Sequence, residues 1–148
     1  MNKLYVAMVG LPARGKSTLA RRIRQGLRAE GTKAEIFNNG DVRRALLGAE
    51  STEPDFYNPE NSFGREAREM ICRQNLEQAR QWLADGGEVA ILDATNASRA
   101  RRTYIEKTLT DHPVLFVECV NDIPRSGRCS MLLYRRASHP FKSARTHI

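Results

Sequence analysis

Over the first 120 residues, short apolar runs alternate with longer stretches whose apolar positions recur every three or four residues. Leu4-Tyr5-Val6-Ala7-Met8-Val9 is continuous and partly β-branched, the pattern of a strand buried on both faces. Leu19, Ile23 and Leu27 then recur at helical spacing, with Arg21, Arg22, Arg24 and Arg28 on the other side. This helix runs to about Glu30, where Gly31 is placed to close it. Ala34–Asn38 predicts a second strand, Asn39-Gly40 a turn, and Asp41 an N-cap for a helix through Val42, Ala45, Leu46 and Leu47. Residues 48–61 are rich in Pro, Asn, Ser and acid and read as a loop, a candidate substrate lid. A long helix over Ser62–Ala84 and a third strand, Val89–Asp93, follow. Ser98 is placed to cap a helix to about Thr110, and Pro113 opens a fourth strand over 114–119.

Strand and helix alternating in this way demand a parallel sheet with helices on both faces. Ligands of such sheets bind at the carboxyl ends of the strands, and Gly10, Asp41 and Asp93 all follow strand ends. Beyond Asn121 the pattern fails. Met131-Leu132-Leu133-Tyr134 is one short apolar cluster among Arg, Ser, His and Pro, and no fifth strand is drawn there. The domain is therefore read as residues 1–122, with its C-terminal part incomplete, and residues 123–148 as a basic, poorly ordered tail.

Charge sharpens that division. The chain carries 24 Lys+Arg against 17 Asp+Glu, a formal net charge of +7. Residues 125–148 contribute six of the cations and no acid, so the rest is close to neutral. A basic tail attracts polyanions without specificity, and no nucleic-acid recognition pattern accompanies it. Cys72, Cys119 and Cys129 are widely spaced, without metal-ligand spacing, and read as reduced cytosolic thiols. No apolar run approaches the roughly 20 residues of a membrane span, and the N-terminus enters the first strand directly rather than as a signal peptide. A cytoplasmic location is expected.

The chemistry centres on Gly10-Leu11-Pro12-Ala13-Arg14-Gly15-Lys16-Ser17-Thr18, which fits G-x-x-x-x-G-K-[ST] between a strand and a helix. Gly10 and Gly15 let the backbone curl so that N–H groups point at phosphate oxygens, and the helix N-terminus adds partial positive charge. Lys16 can reach the β- and γ-phosphates of ATP, and the Ser17 hydroxyl can hold Mg²⁺. The fold class is accordingly α/β, a three-layer fold of the P-loop NTPase type. Asp93 ends a buried strand, the position from which P-loop proteins present an acid to Mg²⁺. Arg43, Arg44, Arg68, Arg99, Arg101 and Arg102 surround these elements, and a phosphorylated acceptor needs such a cluster. Solvation is the ordinary fate of a helical arginine, and Arg43 and Arg44, at a strand-to-helix edge, escape it best.

These residues resemble a known family. The run from Gly10 to Ser17, with its unusual Pro12-Ala13-Arg14, is similar to the phosphate loop of 6-phosphofructo-2-kinase, the kinase half of a bifunctional fructose-2,6-bisphosphate enzyme. Phe37-Asn38-Asn39-Gly40-Asp41-Val42-Arg43-Arg44 resembles that family's F-N-x-G-[ED]-Y-R-R segment, with Val42 for the usual Tyr. Phe56-Tyr57-Asn58-Pro59-Glu60-Asn61 resembles its F-F-x-P-[DE]-N loop. Asp93-Ala94-Thr95-Asn96-Ala97-Ser98-Arg99-Ala100-Arg101-Arg102 resembles its D-A-T-N-x-[ST]-R-x-R-R segment.

The resemblance spans about residues 4–122 and implies phosphoryl transfer from ATP to the 2-hydroxyl of fructose 6-phosphate. It gives Lys16 and Asp93 catalytic roles, Ser17 and Asp93 the metal, and Arg43, Arg44, Arg68, Thr95 and Arg101 the sugar phosphate. Nothing in residues 123–148 matches the family's continuation, and the phosphatase half is absent, as in a chain truncated or diverged after about residue 122. Two alternatives stand beside this one: a catalytically weak or silent nucleotide-binding module, and another small P-loop kinase such as an adenylylsulfate kinase. The expected partners are small-molecule substrates, with no membrane and no specific nucleic acid. A homodimer is compatible with the sequence.

Overall fold

The computed structural model describes residues 2–48, 51, 54–120, 130–135 and 145–146. Its central strand, β1 (Leu4–Val9), lies between two others that arrive much later in the chain. These are β3 (Val89–Asp93), which pairs in parallel through Leu4↔Val89 to Ala7↔Leu92, and β4 (Val114–Val120), in parallel through Tyr5↔Val114 to Val9↔Glu118. β2 (Ala34–Asn38) pairs in parallel with β3. The helices are α1 (Lys16–Ala29), α2 (Asn39–Leu47), α3 (Ser62–Ala84) and α4 (Arg99–Thr108), with a 3₁₀ helix at Pro54–Tyr57.

Alternate residues of β1 point to opposite faces, and each face meets its own helices. Tyr5, Ala7 and Val9 pack with Leu76, Ala79 and Leu83 of α3 and Ile105 of α4. Val6 and Met8 pack with Ala20, Leu19, Ile23 and Leu27 of α1. The result is the three-layer α/β fold expected from the alternation. A smaller cluster of Phe56, Ala67 and Ile71, with Val42 and Leu47, seats α2 and the 3₁₀ helix on α3.

Three expectations need correction. α2 begins at Asn39, directly from β2, so Asn39 and Gly40 are helical rather than a turn. Asn38 is its N-cap, accepting from the Asp41 amide, which leaves Asp41 in the first turn. Residues 48–61 are not all loop, because the 3₁₀ helix falls among them.

The third correction is a fifth strand, β5 (Ser130–Tyr134), antiparallel to β4 from Phe116↔Tyr134 to Val120↔Ser130. A two-residue strand, β6 (Arg145–Thr146), pairs with it, giving the order β2-β3-β1-β4-β5-β6. Four apolar residues are too few to register as a period, yet enough to pair along β4, whose backbone groups need partners on that side. The remaining residues assigned to the tail lie outside those described, as does Cys129; Cys72 and Cys119 are buried thiols. Among the described residues no helix is long and apolar enough to cross a membrane.

Candidate active site

The phosphate-loop motif occupies the turn from β1 into α1. Gly15 is the N-cap of α1 at φ 80°, a left-handed conformation that a Cβ would strain, and no side chain caps the helix. With no acid in the first turn of α1, its N–H groups and positive end face the loop unneutralised. Lys16 is buried, and its Nζ donates to the Leu11 carbonyl at 2.7 Å, folding the side chain back along the loop. Burial lowers its pKa, while Asp93 pulls the other way.

The loop is fastened from the neighbouring strand. The Gly10 amide donates to the Thr95 carbonyl at 2.9 Å, and the buried Asn96 side chain donates to the Met8 carbonyl at 2.9 Å. Asp93, at the end of β3, is also buried, and one of its carboxylate oxygens accepts from Asn38 Nδ2 at 2.7 Å.

Lys16, Ser17 and Asp93 line one cavity of about 320 Å³ at the carboxyl ends of β1, β2 and β3. Arg43, Arg68, Thr95 and Arg101 line the same cavity, brought there by α2, α3, the loop after β3 and α4. Each arginine is held from behind. Arg43 donates to the Tyr57 hydroxyl, and its guanidinium lies 5.7 Å from that ring's centre. Burial lowers its pKa, with Arg44 adding to the effect, and its buried Nε has no acceptor among the described residues. Arg68 lies 5.8 Å from the ring centres of Phe56 and Tyr57 and donates to the Phe56 carbonyl. Arg101 spans both carboxylate oxygens of Glu69. Burial works against its charge, but Cys72 and Glu69 outweigh it and raise the pKa.

The other expected residues fall elsewhere. Arg44 does not line this cavity; it turns outward to pair with Asp41, one helical turn earlier. Gly10, Leu11 and Arg14 line a separate cavity of about 220 Å³ with Glu118, whose pKa burial raises. Pro12, Ala13 and Thr18 are exposed and line neither. The chain by itself does not mark Asn38, Asn96 or Tyr57 as site residues, although all three lie inside the segments that carry the family resemblance. A polar residue ending an apolar strand, as Asn38 does, was the available signal.

Four cations, Lys16, Arg43, Arg68 and Arg101, around the single carboxylate of Asp93 suit two phosphorylated substrates meeting across a divalent ion. A serine hydroxyl and a carboxylate are hard oxygen donors, a set that fits Mg²⁺ completed by phosphate oxygens and water.

The sequence model of 6-phosphofructo-2-kinase matches residues 1–126. The chain is 38% identical over 104 residues to a 6-phosphofructo-2-kinase/fructose-2,6-bisphosphatase of Arabidopsis thaliana, covering 70% of this chain and 14% of that protein. It is 31% identical over 140 residues to the human 6-phosphofructo-2-kinase/fructose-2,6-bisphosphatase 3, covering 93% of this chain and 27% of that protein. Among solved structures it resembles the Mycobacterium tuberculosis APS kinase CysC in complex with AMPPNP and APS. That match has a TM-score of 0.58 at 23% identity, over 79% of this chain and 61% of that one, a likeness of fold.

Proposed function

The chain belongs to the 6-phosphofructo-2-kinase family, and on that premise we propose that it transfers the γ-phosphoryl group of ATP to the 2-hydroxyl of fructose 6-phosphate. The observation that carries the reading is the meeting of Lys16, Ser17 and Asp93 with Arg43, Arg68 and Arg101 around one cavity. The phosphate loop and Lys16 would bind the triphosphate. Ser17 and Asp93 would hold Mg²⁺, which supplies charge neutralisation on the transferring group. Arg43, Arg68, Thr95 and Arg101, which line the cavity together, would hold the sugar phosphate. Arg44, turned outward, would act through the field it adds rather than by contact.

Phosphoryl transfer asks mainly for alignment and electrostatic stabilisation, so no strong base is required. The Asp93 oxygen not engaged by Asn38 would orient the acceptor hydroxyl. The cation-rich lining favours the transition state by facing charge that spreads over the equatorial oxygens.

The test is product analysis with purified protein, Mg-ATP, and fructose 6-phosphate, fructose or adenylylsulfate as acceptor. An acid-labile bisphosphate formed from fructose 6-phosphate alone is expected. Transfer to adenylylsulfate instead, or nucleotide binding with no transfer to any of the three, overturns the assignment.

A further inference from the structure

The end of β2 and the end of β3 are joined by a single side chain. Asn38 and Asp93 are register partners in the parallel sheet, so their side chains leave the same face side by side. Asn38 Nδ2 donates to Asp93 Oδ2 at 2.7 Å, and Asn38 Oδ1 accepts from the Asp41 amide at 3.1 Å. The chemistry of the partners fixes which end of the amide is which. A carboxylate only accepts and a backbone N–H only donates, so a flipped amide would lose both bonds.

The segment carrying Asn38 is itself held from below. Asn75 of α3, almost fully buried, donates to the Phe37 carbonyl at 3.0 Å and to Asn39 Oδ1 at 2.6 Å. Above, Asn38 Oδ1 lies where a Cβ on Gly40 would approach within 2.8 Å. The residues on either side of Asn38 are therefore pinned to α3, and its amide oxygen lies against the bare backbone of Gly40.

We propose that Asn38 is a positioning residue that sets two parts of the site at once. Through its NH₂ group it holds Asp93 in one rotamer, with one oxygen anchored and the other left for the reacting centre. Through its carbonyl it caps α2, the helix that carries Arg43 into the same cavity. The two halves of the site, one facing the nucleotide and one facing the acceptor, are thereby referenced to one planar group. This rests on the phosphotransferase reading above, and it makes a claim that the reading alone does not.

The two roles separate by substitution. Asn38→Ser keeps a competent N-cap but is too short to serve the Asp41 amide and Asp93 together. Asn38→Ala removes both bonds. Asn38→Asp keeps the cap and places a second carboxylate against Asp93. Three quantities are read for each: the thermal midpoint, the Kd for Mn²⁺·ADP by electron paramagnetic resonance, and kcat and KM for the acceptor.

The expected result is a split. Asn38→Ser keeps the wild-type acceptor KM and loses less of the thermal midpoint than Asn38→Ala, while kcat falls about tenfold and Mn²⁺·ADP binds several-fold more weakly. Asn38→Ala shows the same fall in kcat together with a raised acceptor KM and a lower midpoint. Asn38→Asp is at least as slow as Asn38→Ser despite its cap. Gly40→Ala, which pushes on the amide without removing it, lowers kcat in the wild type but adds nothing in the Asn38→Ser background.

Recovery of wild-type kcat and Mn²⁺·ADP affinity by Asn38→Ser would reduce Asn38 to a helix cap and overturn the proposal. A wild-type chain that binds no Mn²⁺·ADP would overturn the nucleotide reading and this inference with it. A chain that binds Mn²⁺·ADP but lacks fructose 6-phosphate transfer would overturn only the acceptor, because the affinity difference between wild type and Asn38→Ser still reads the role of Asn38.

Discussion

Asn96 Nδ2 donates to the carbonyl oxygen of Met8 at 2.9 Å, so the loop after β3 is tied to the end of β1, just before the phosphate loop. Asn96 itself is at φ 46°, in the left-handed region that asparagine tolerates better than most residues. Asn96→Ala should therefore cost about 1–3 kcal/mol for a buried carbonyl left without its donor, and more for the backbone conformation. Chemical denaturation checks the loss. Nucleotide affinity should fall in parallel, because the carbonyl of Thr95, the preceding residue, accepts from the Gly10 amide.

Lys16→Ala removes the buried cation of the loop while its amides remain. The fold should survive, since the Lys16 side chain hydrogen-bonds to Leu11 within the loop itself. Calorimetry should show Mg-ATP affinity clearly reduced, and phosphoryl transfer should vanish. Equal affinities for wild type and variant would remove Lys16 from the site.

Arg43 and Arg44 are adjacent in sequence but separate in the structure, and their alanine variants should differ. A hydrogen bond to a charged group is worth about 1.5–3 kcal/mol, so Arg43→Ala should weaken fructose 6-phosphate at least tenfold. Arg44→Ala, which breaks an exposed pair with Asp41, should change it less than threefold. Acceptor KM at saturating ATP reads both, and free fructose should bind neither protein measurably. Identical losses in the two variants would contradict the geometry.

Gly64 lies in the first turn of α3, where the Phe56 carbonyl oxygen of the 3₁₀ helix comes within 2.3 Å of the position a Cβ would take. A backbone atom cannot yield as the end of a flexible side chain can. Gly64→Ala should displace the 3₁₀ helix and cost about 1–3 kcal/mol. Phe56 and Tyr57 back Arg68 and Arg43, so acceptor KM should rise more than the KM for ATP. Unchanged stability and KM would show that this contact yields freely.

Toward the opposite ends of the strands, the fully buried Tyr5 of β1 donates its hydroxyl to Asp111 at 2.9 Å. Burial first, and then this bond, push the phenol well above its ordinary pKa of about 10. The folded state keeps the proton where the unfolded chain gives it up, so this stabilisation is complete below pH about 10 and is lost as pH rises beyond. Tyr5→Phe should cost about 1 kcal/mol at pH 7. The deficit should narrow in urea unfolding at pH 10.5, and a deficit that stays constant would remove Tyr5 from the alkaline transition.

Much of this was written locally. The bounds of β1, β2, α3 and β3 follow from apolar runs and helical spacing, because burial on two faces or one leaves a pattern in the chain itself. The phosphate loop is legible for a related reason. Its chemistry is made by backbone amides and one lysine within nine consecutive residues, so spacing alone specifies it.

What the sequence could not decide depends on segments far apart. Arg43 and Arg44 look equivalent in the chain, and only the rotation of α2, fixed by packing Val42 and Leu47 on α3, turns one inward and the other out. Arg101 is 32 residues from Glu69, and Asn38 is 55 from Asp93; no periodicity announces such pairs. β5 is the clearest case. A four-residue apolar cluster carries no pattern, and it becomes a strand because β4 offers a row of backbone groups along which it can pair.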